Sequence, residues 1–416
     1  TFGRVDELLL PYYQRDMAEG AMTREQACAL ITDFYCKNNL ILGRGEHQMS
    51  GNSAKSTGWQ RNLTYDAPQY IVLGGRRADG SAPGNELTNL WLECVVPRFE
   101  NPVIVLRYTA DLGESLWLLA LDKMRQNASL LIYNDGAVIP ALERAGIAPQ
   151  DALTYTMHGC NWVDAPGIQR TAICSWLWLP RYVLQALLGT ADAPAPDYQD
   201  MDQIYERVGQ AYRAALEAEC ARFRASRARW EEMSPGLLRV DDCFLAGPIE
   251  RARSWAAGGV PYVTLTATLS GIGTAADSLA AVDELVFREH RFSLETLRHA
   301  LRQNYGFSTA TELATAEGNE ARRPRAHARQ EASGDEARAL EALRLACLKA
   351  PKFGQDDDLA DQHAVRMAQA ILQEIEEARR RGTADEITIF PCVETDMNHL
   401  RAGAETGATP DGRPAG

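Results

Sequence analysis

Closely spaced cysteines are absent from this chain. Its nine cysteines (Cys28, Cys36, Cys94, Cys160, Cys174, Cys220, Cys243, Cys347 and Cys392) are scattered, and none form a Cys-x-x-Cys pair. That excludes the disulfide framework of a small secreted domain and leaves no ligand spacing for zinc or an iron–sulfur cluster. Free thiols in a reducing cytoplasm, with no bound cofactor and no metal, are the expectation. Basic charge is also in deficit: 43 Lys and Arg stand against 56 Asp and Glu, a net −13. A general nucleic-acid surface or an anionic-membrane surface needs a basic face, so neither partner is expected. Long apolar runs are lacking too. The most apolar stretch, Thr171 to Leu188, is broken by Pro180 and Arg181 and reads as core, not as a membrane span. The chain opens on Thr1-Phe2-Gly3-Arg4 without an apolar leader, and the string from Thr409 to Gly416 stops without a closing helix or strand. Both ends look cut, and a fragment is expected. No internal repeat is visible.

What is there is the composition of a globular protein, 45% hydrophobic and 24% charged over 416 residues, enough for a sizeable core. Thr23-Arg24-Glu25-Gln26 is a capping-box pattern that starts a helix running through Phe34. The Gly- and Ser-rich stretch from Gly43 to Gly58 reads as irregular. Short apolar runs then alternate with helical patterns. Tyr70 to Leu73, Val103 to Leu106, Leu130 to Tyr133, Leu153 to Met157, Tyr262 to Thr266 and Ile387 to Phe390 read as strands buried on both faces. Asn85 to Cys94, Leu116 to Arg125 and Val138 to Ala145 read as helices between them, so an α/β architecture follows, barrel or open sheet. Two long helices stand out. One carries Ile204, Val208, Tyr212, Leu216 and Cys220 on one face; the other carries Val365, Ala368, Leu372 and Ile375 and ends at Arg379-Arg380-Arg381 before Gly382. The charged stretch Glu317 to Glu336 reads as a solvated loop or surface insertion.

Cys160 stands out by context. A strand-like run ends in His158-Gly159-Cys160-Asn161-Trp162, and Gly159 lets the backbone turn sharply. A lone cysteine is most often a small buried hydrophobe. Two chemical readings compete with that. In one, Cys160 is a thiolate nucleophile and His158, two residues earlier on the same face, is its base. In the other, the sulfur transfers a hydrogen atom. A thiyl radical needs no base; it needs a dry cavity and a close substrate C–H. Met157 and Trp162 beside the cysteine suit the second reading better than a thiolate, which wants nearby positive charge. Asn134-Asp135-Gly136 is a turn signal by default, and Gly271-x-Gly273 is a weak phosphate-binding signal better read as close packing.

Several segments, in order, resemble the glycyl radical enzymes of the pyruvate formate-lyase family. They are Ile71 to Gly75, Gly84 to Thr88, Pro102 to Tyr108, Tyr133 to Asp135 with Ile139 to Leu142, His158-Gly159-Cys160, Gly258 to Tyr262, Ala276 to Ala281, Pro351 to Asp357 and Gly407 to Arg413. The resemblance covers nearly all of residues 1–416 apart from the insertion at 317–336. It implies a ten-stranded β/α barrel of the pyruvate formate-lyase type, incomplete at one or both ends, with the Gly-Cys loop at its centre. By position Cys160 would be the thiyl residue, with Gly159, Asn161, Trp162, Asn134 and Asp135 as substrate-pocket candidates. A glycyl radical is expected on a segment absent here, installed by an S-adenosylmethionine iron–sulfur activating enzyme. The implied partners are a small-molecule substrate, that activating enzyme, a second copy in a homodimer and, as one option, a separate glycine-bearing subunit.

Three departures from the family pattern narrow the expectation. The glycine-bearing segment is not in the sequence, so the chain by itself should be incompetent. Many relatives carry a Glu two residues after the cysteine as acid/base, whereas Trp162 stands here and cannot transfer a proton at neutral pH. Gly159 in front of Cys160 also departs from the adjacent cysteines of pyruvate formate-lyase itself. Asp164, four residues after the cysteine, is the nearest replacement acid, though a solvated loop Asp is the favoured reading. The expectation is lyase-type hydrogen abstraction in anaerobic metabolism. The alternatives are a non-catalytic relative acting as partner or regulator, and a Cys160–His158 hydrolase.

Overall fold

The computed structural model describes residues 2–39, 69–77, 79–81, 83–97, 101–127, 129–158, 162–174, 177–233, 235–307, 334–381, 387–393, 402–403 and 406–415. The stretch 43–58, residues 317–333 and Gly382 lie outside them. The described chain is α/β, and it divides into two compact units: residues 1–170 with 238–262, and residues 171–237 with 263–416.

In the first unit β1 (Gly3–Arg4), β2 (Tyr70–Gly74), β3 (Val103–Tyr108) and β4 (Leu130–Asn134) form one parallel sheet in sequence order. The apolar runs explain it: Ile71, Val72, Leu73, Ile104, Val105 and Leu106 are all essentially inaccessible, as central parallel strands covered on both faces must be. Parallel strands need crossovers, and helices supply them. The helices are α1 (Val5–Leu8), α2 (Leu10–Ala18), α3 (Arg24–Asn39), α4 (Glu86–Glu93), α5 (Glu114–Gln126), α6 (Asp135–Arg144) and α7 (Pro149–Ala152). The capping box before α3 is present, with Thr23 N–H donating to Gln26 Oε1 at 2.8 Å and Gln26 N–H to Thr23 Oγ1 at 3.3 Å. A second one, Asn85 with Thr88, opens α4. Leu87, Leu90, Trp91 and Leu92 of α4 bury against the sheet, and Tyr35 of α3 closes on Trp91 edge-to-face at 5.5 Å while its hydroxyl donates to the Trp91 carbonyl.

A separate two-stranded hairpin, β5 (Thr156–His158) with β6 (Trp162–Asp164), belongs to the same unit. The expected strand from Leu153 needs correction. Leu153 N–H donates to the Pro149 carbonyl and Thr154 N–H to that of Asp151, so the α7 turn holds both and the strand starts at Thr156.

The second unit holds β7 (Gln169–Cys174, from Thr171 onward), β8 (Tyr262–Thr268, from Val263) and β9 (Thr388–Cys392), ordered β7-β8-β9 with β8 and β9 parallel. Its helices are α8 (Leu179–Leu188), α9 (Met201–Met233), α10 (Ile272–Val282, continued by a π-helical turn at Asp283–Arg288), α11 (Leu294–Arg302), α12 (Asp335–Lys349) and α13 (Asp358–Arg380). The apolar stretch that reads as core is core in α8, where Leu179, Tyr182, Val183, Ala186 and Leu187 are buried, and Pro180 sits in the first turn, where its missing N–H leaves no bond unmade. The face expected on α9 buries Ile204, Val208, Tyr212, Leu216 and Cys220, but on α13 the buried face is Met367, Ile371 and Ile375, so of the expected residues Ile375 is buried, Ala368 partly so, and Val365 and Leu372 are exposed. Asp335 and Glu336, the end of the expected insertion, are already the first turn of α12.

The strands of the described residues fall into three sheets, and their pairing does not by itself trace a closed ten-stranded barrel. Among the described residues no helix is long and apolar enough to cross a membrane.

Candidate active site

The carboxyl ends of β3 and β4 carry a buried charge pair. Arg107 is the one charged residue of the run Val103-Ile104-Val105-Leu106-Arg107-Tyr108, and Asp135 opens α6 straight after β4. Both side chains are fully inaccessible. Arg107 donates from Nε to Asp135 Oδ1 and from Nη2 to Oδ2, each at 2.9 Å, the two-pronged fit of guanidinium and carboxylate. Tyr155, also inaccessible, donates its hydroxyl to Asp135 Oδ1 at 2.6 Å and lies with its ring 3.9 Å from the guanidinium carbon. Burial first, and then the Asp135 charge, hold the Tyr155 phenol well above its ordinary range, so it stays a donor. The Arg76 N–H completes the set on Asp135 Oδ2 at 2.9 Å.

The third guanidinium nitrogen of Arg107 faces away from the carboxylate. Nη1 donates to the carbonyls of Leu153 and Tyr155, at 3.0 and 3.1 Å. Those two residues lead directly into β5. Space for the guanidinium depends on Gly75, at φ +86°: a Cβ there would lie 2.4 Å from Arg107 Nε. A second buried carboxylate, Asp6, stands nearby in sequence space of the same sheet, accepting from Gly74 N–H at 2.7 Å and Thr88 Oγ1 at 2.8 Å, which ties α1 and α4 to the end of β2.

In the hairpin Thr156 pairs Asp164, Met157 pairs Val163 and His158 pairs Trp162. Met157 and Val163 are buried, and Trp162 and Asp164 are half-buried. Alternation puts Trp162 and Asp164 on one face of β6. The residues that join the strands, Gly159, Cys160 and Asn161, lie outside the described residues, and so does the side chain of His158. Asn134 is exposed and caps α6, its Oδ1 accepting from Gly136 N–H at 2.9 Å, so the expected turn is a helix start. Asp135, grouped with Asn134 in the sequence, faces the interior instead. Four donors fill the acceptor positions of its carboxylate. Arg107 and Tyr155 were not singled out from the sequence. A lone Arg inside an apolar strand is the signal that points to the first.

An α/β chain that carries a short β5–β6 hairpin, with Gly159-Cys160-Asn161 between its strands in sequence, is the class these features define. The family model described as "PFL-like: Pyruvate formate lyase-like" matches residues 1–392. The chain belongs to that family. It is 26% identical over 447 aligned residues to "Probable dehydratase YbiW" of Escherichia coli K12, covering 100% of this chain and 49% of the relative. It is 22% identical over 461 residues to "4-hydroxyphenylacetate decarboxylase glycyl radical subunit" of Clostridioides difficile, covering 100% and 47%. A solved structure concerned with 1,2-propanediol dehydration in Roseburia inulinivorans superposes with a TM-score of 0.74 at 24% identity, covering 99% of this chain and 49% of that one, a likeness of fold. The chain spans about half the length of the curated relatives it matches.

Proposed function

We propose that this chain is part of a glycyl radical enzyme in which Cys160 abstracts a hydrogen atom from a small organic substrate. The observation that carries the reading is sequential and local: the family match runs through His158-Gly159-Cys160, and Cys160 falls between two paired strands whose flanking Met157 and Val163 are buried apolar residues. The proposed cycle is balanced. The Cys160 S–H gives its hydrogen atom to a glycine-centred radical, leaving S• and restoring a glycine C–H. The S• then takes a hydrogen atom from a substrate C–H, reforming S–H and leaving a carbon radical; once that radical has expelled its leaving group, the product radical takes the hydrogen atom back from the Cys160 S–H, and the S• so formed regains one from the glycine C–H, restoring the glycine-centred radical. The strands described here are read as part of the family's ten-stranded barrel, and the chain's partners as a radical S-adenosylmethionine activating enzyme and a second copy.

Relatives include a named dehydratase and a named decarboxylase, and the Trp162 in this sequence supports a reading away from chemistry that needs an acid two residues after the cysteine. Trp162 is read as an aromatic wall of the pocket, with Gly159 and Asn161 beside the sulfur and Asp164, on the same face as Trp162, as the nearest proton donor. Asn134 is kept as a candidate at the pocket's edge. The test is activation of the full-length protein in the absence of oxygen. With an activating enzyme, S-adenosylmethionine and a reductant, an organic radical should appear by electron paramagnetic resonance and vanish in air. A protein that gives no radical with any such activator, and hydrolyses esters or amides in air through a thiol, would be a hydrolase instead.

A further inference from the structure

The geometry points to Arg107, Asp135 and Tyr155 as a positioning device for the β5–β6 hairpin. The inference rests on the reading of Cys160 above only for its functional meaning, since β5 ends two residues before that cysteine. A hairpin of three residue pairs is too short to hold itself, because an isolated two-stranded ribbon is marginal in water. It is not a member of the four-stranded sheet. β5 packs against β1 and β2, and Arg107 Nη1 holds two carbonyls of the segment that leads into it, those of Leu153 and Tyr155, which fixes where that strand begins.

The chemistry of the cluster fits that task better than it fits core stability. A buried ion pair is a poor way to stabilise a sheet, because desolvation cancels most of its attraction and apolar residues of the same size do as well. What an apolar residue cannot do is aim a carbonyl. A guanidinium can, with its donors in a rigid plane. Asp135 sets that plane by taking Nε and Nη2 together, and Tyr155 locks the carboxylate from its other side while its ring covers the guanidinium. Gly75 leaves the room the plane occupies. The polar side-chain atoms of the trio therefore bond within the trio, to the Arg76 N–H, or to the carbonyls before β5. Asp135, a substrate-pocket candidate by its place at a strand end, takes the role of a positioning residue here, because its acceptor positions are filled from within the protein.

Lysine separates this role from simple charge balance. Arg107→Lys keeps a cation beside Asp135 but has no planar fork to hold the carboxylate and two carbonyls at once. The experiment compares wild type, Arg107→Lys, Arg107→Met and Tyr155→Phe in the full-length protein, by denaturant unfolding and by peptide-resolved hydrogen–deuterium exchange. The expected result is that Arg107→Lys recovers much of the stability lost in Arg107→Met, yet the amides of 156–158 and 162–164 exchange at least about tenfold faster than in wild type, with β2 and β3 unchanged. Tyr155→Phe should move the same amides in the same direction by a smaller factor, and it decides the matter if Arg107→Lys does not fold. Exchange in the hairpin within about twofold of wild type, or an equal rise in β2 and β3, would overturn the proposal. Turnover by Cys160→Ser is measured separately: it would sink the radical reading and leave the exchange result standing.

Discussion

Arg107, Asp135 and Tyr155 in the first unit and Tyr205, His363 and Asp283 in the second are both buried polar trios, but they bond to different things. In the first, one arm of the guanidinium leaves the trio and grips the main chain before β5. In the second, side chains meet only side chains: the Tyr205 hydroxyl bonds to His363 Nδ1, and His363 Nε2 lies 3.3 Å from Asp283 Oδ2, which also accepts from Arg288 Nε at 2.9 Å. These groups come from α9, α13 and the π-helical turn after α10, so the trio links three helices. One cluster sets where a strand points; the other sets how helices lie. The first carries an ion pair, whereas the second contains a histidine whose pKa burial lowers below its ordinary 6.5.

The comparison can be broken most forcefully at Arg107. Arg107→Met leaves the Asp135 carboxylate buried without its partner, and a loss of about 3–5 kcal/mol is expected in denaturant unfolding of the first unit. Gly75→Ala should cost about 1–3 kcal/mol in the same assay, since the new Cβ meets a guanidinium that four bonds prevent from moving away. The second unit should respond to acid instead. Burial lowers the pKa of His363 below its ordinary 6.5, ahead of the opposing pull of Asp283. The unfolded chain then binds the proton more readily than the folded one. Stability is therefore full above about pH 6.5 and falls as the pH drops below it. His363→Gln should flatten that fall, and a wild-type unfolding midpoint that is constant from pH 8 to pH 5.5 would remove the distinction between the trios. The smallest effect is expected from Tyr205→Phe, about 1 kcal/mol for one buried hydrogen bond, read from thermal unfolding.

Most of the parallel sheet was legible in the sequence because strands buried on both faces leave continuous apolar runs. The runs at 70–73, 103–106 and 130–133 became β2, β3 and β4 with little change. Short or tertiary-determined features were not legible. β6 spans only Trp162–Asp164 and is defined by its pairing with β5. Leu153 has a strand-former's apolar character, but local turn bonds to Pro149 claim it. α8 was hidden because Pro180 reads as a breaker unless it falls in a first turn. At the candidate site, the His158-Gly159-Cys160 run drew attention through its neighbours in sequence. Arg107 did not, because its partner lies 28 residues away and nothing in the spacing joins a strand Arg to a helix-opening Asp.

Cys160→Ser in the activated full-length protein tests the central claim most directly. A hydroxyl cannot stand in for a thiol in hydrogen-atom transfer, since its O–H bond is far stronger. The account predicts that the variant still acquires the organic radical under anaerobic activation, at an intensity close to wild type, and that turnover of any substrate the wild type accepts disappears. A Cys160→Ser protein that carries the radical and continues to convert substrate would contradict it.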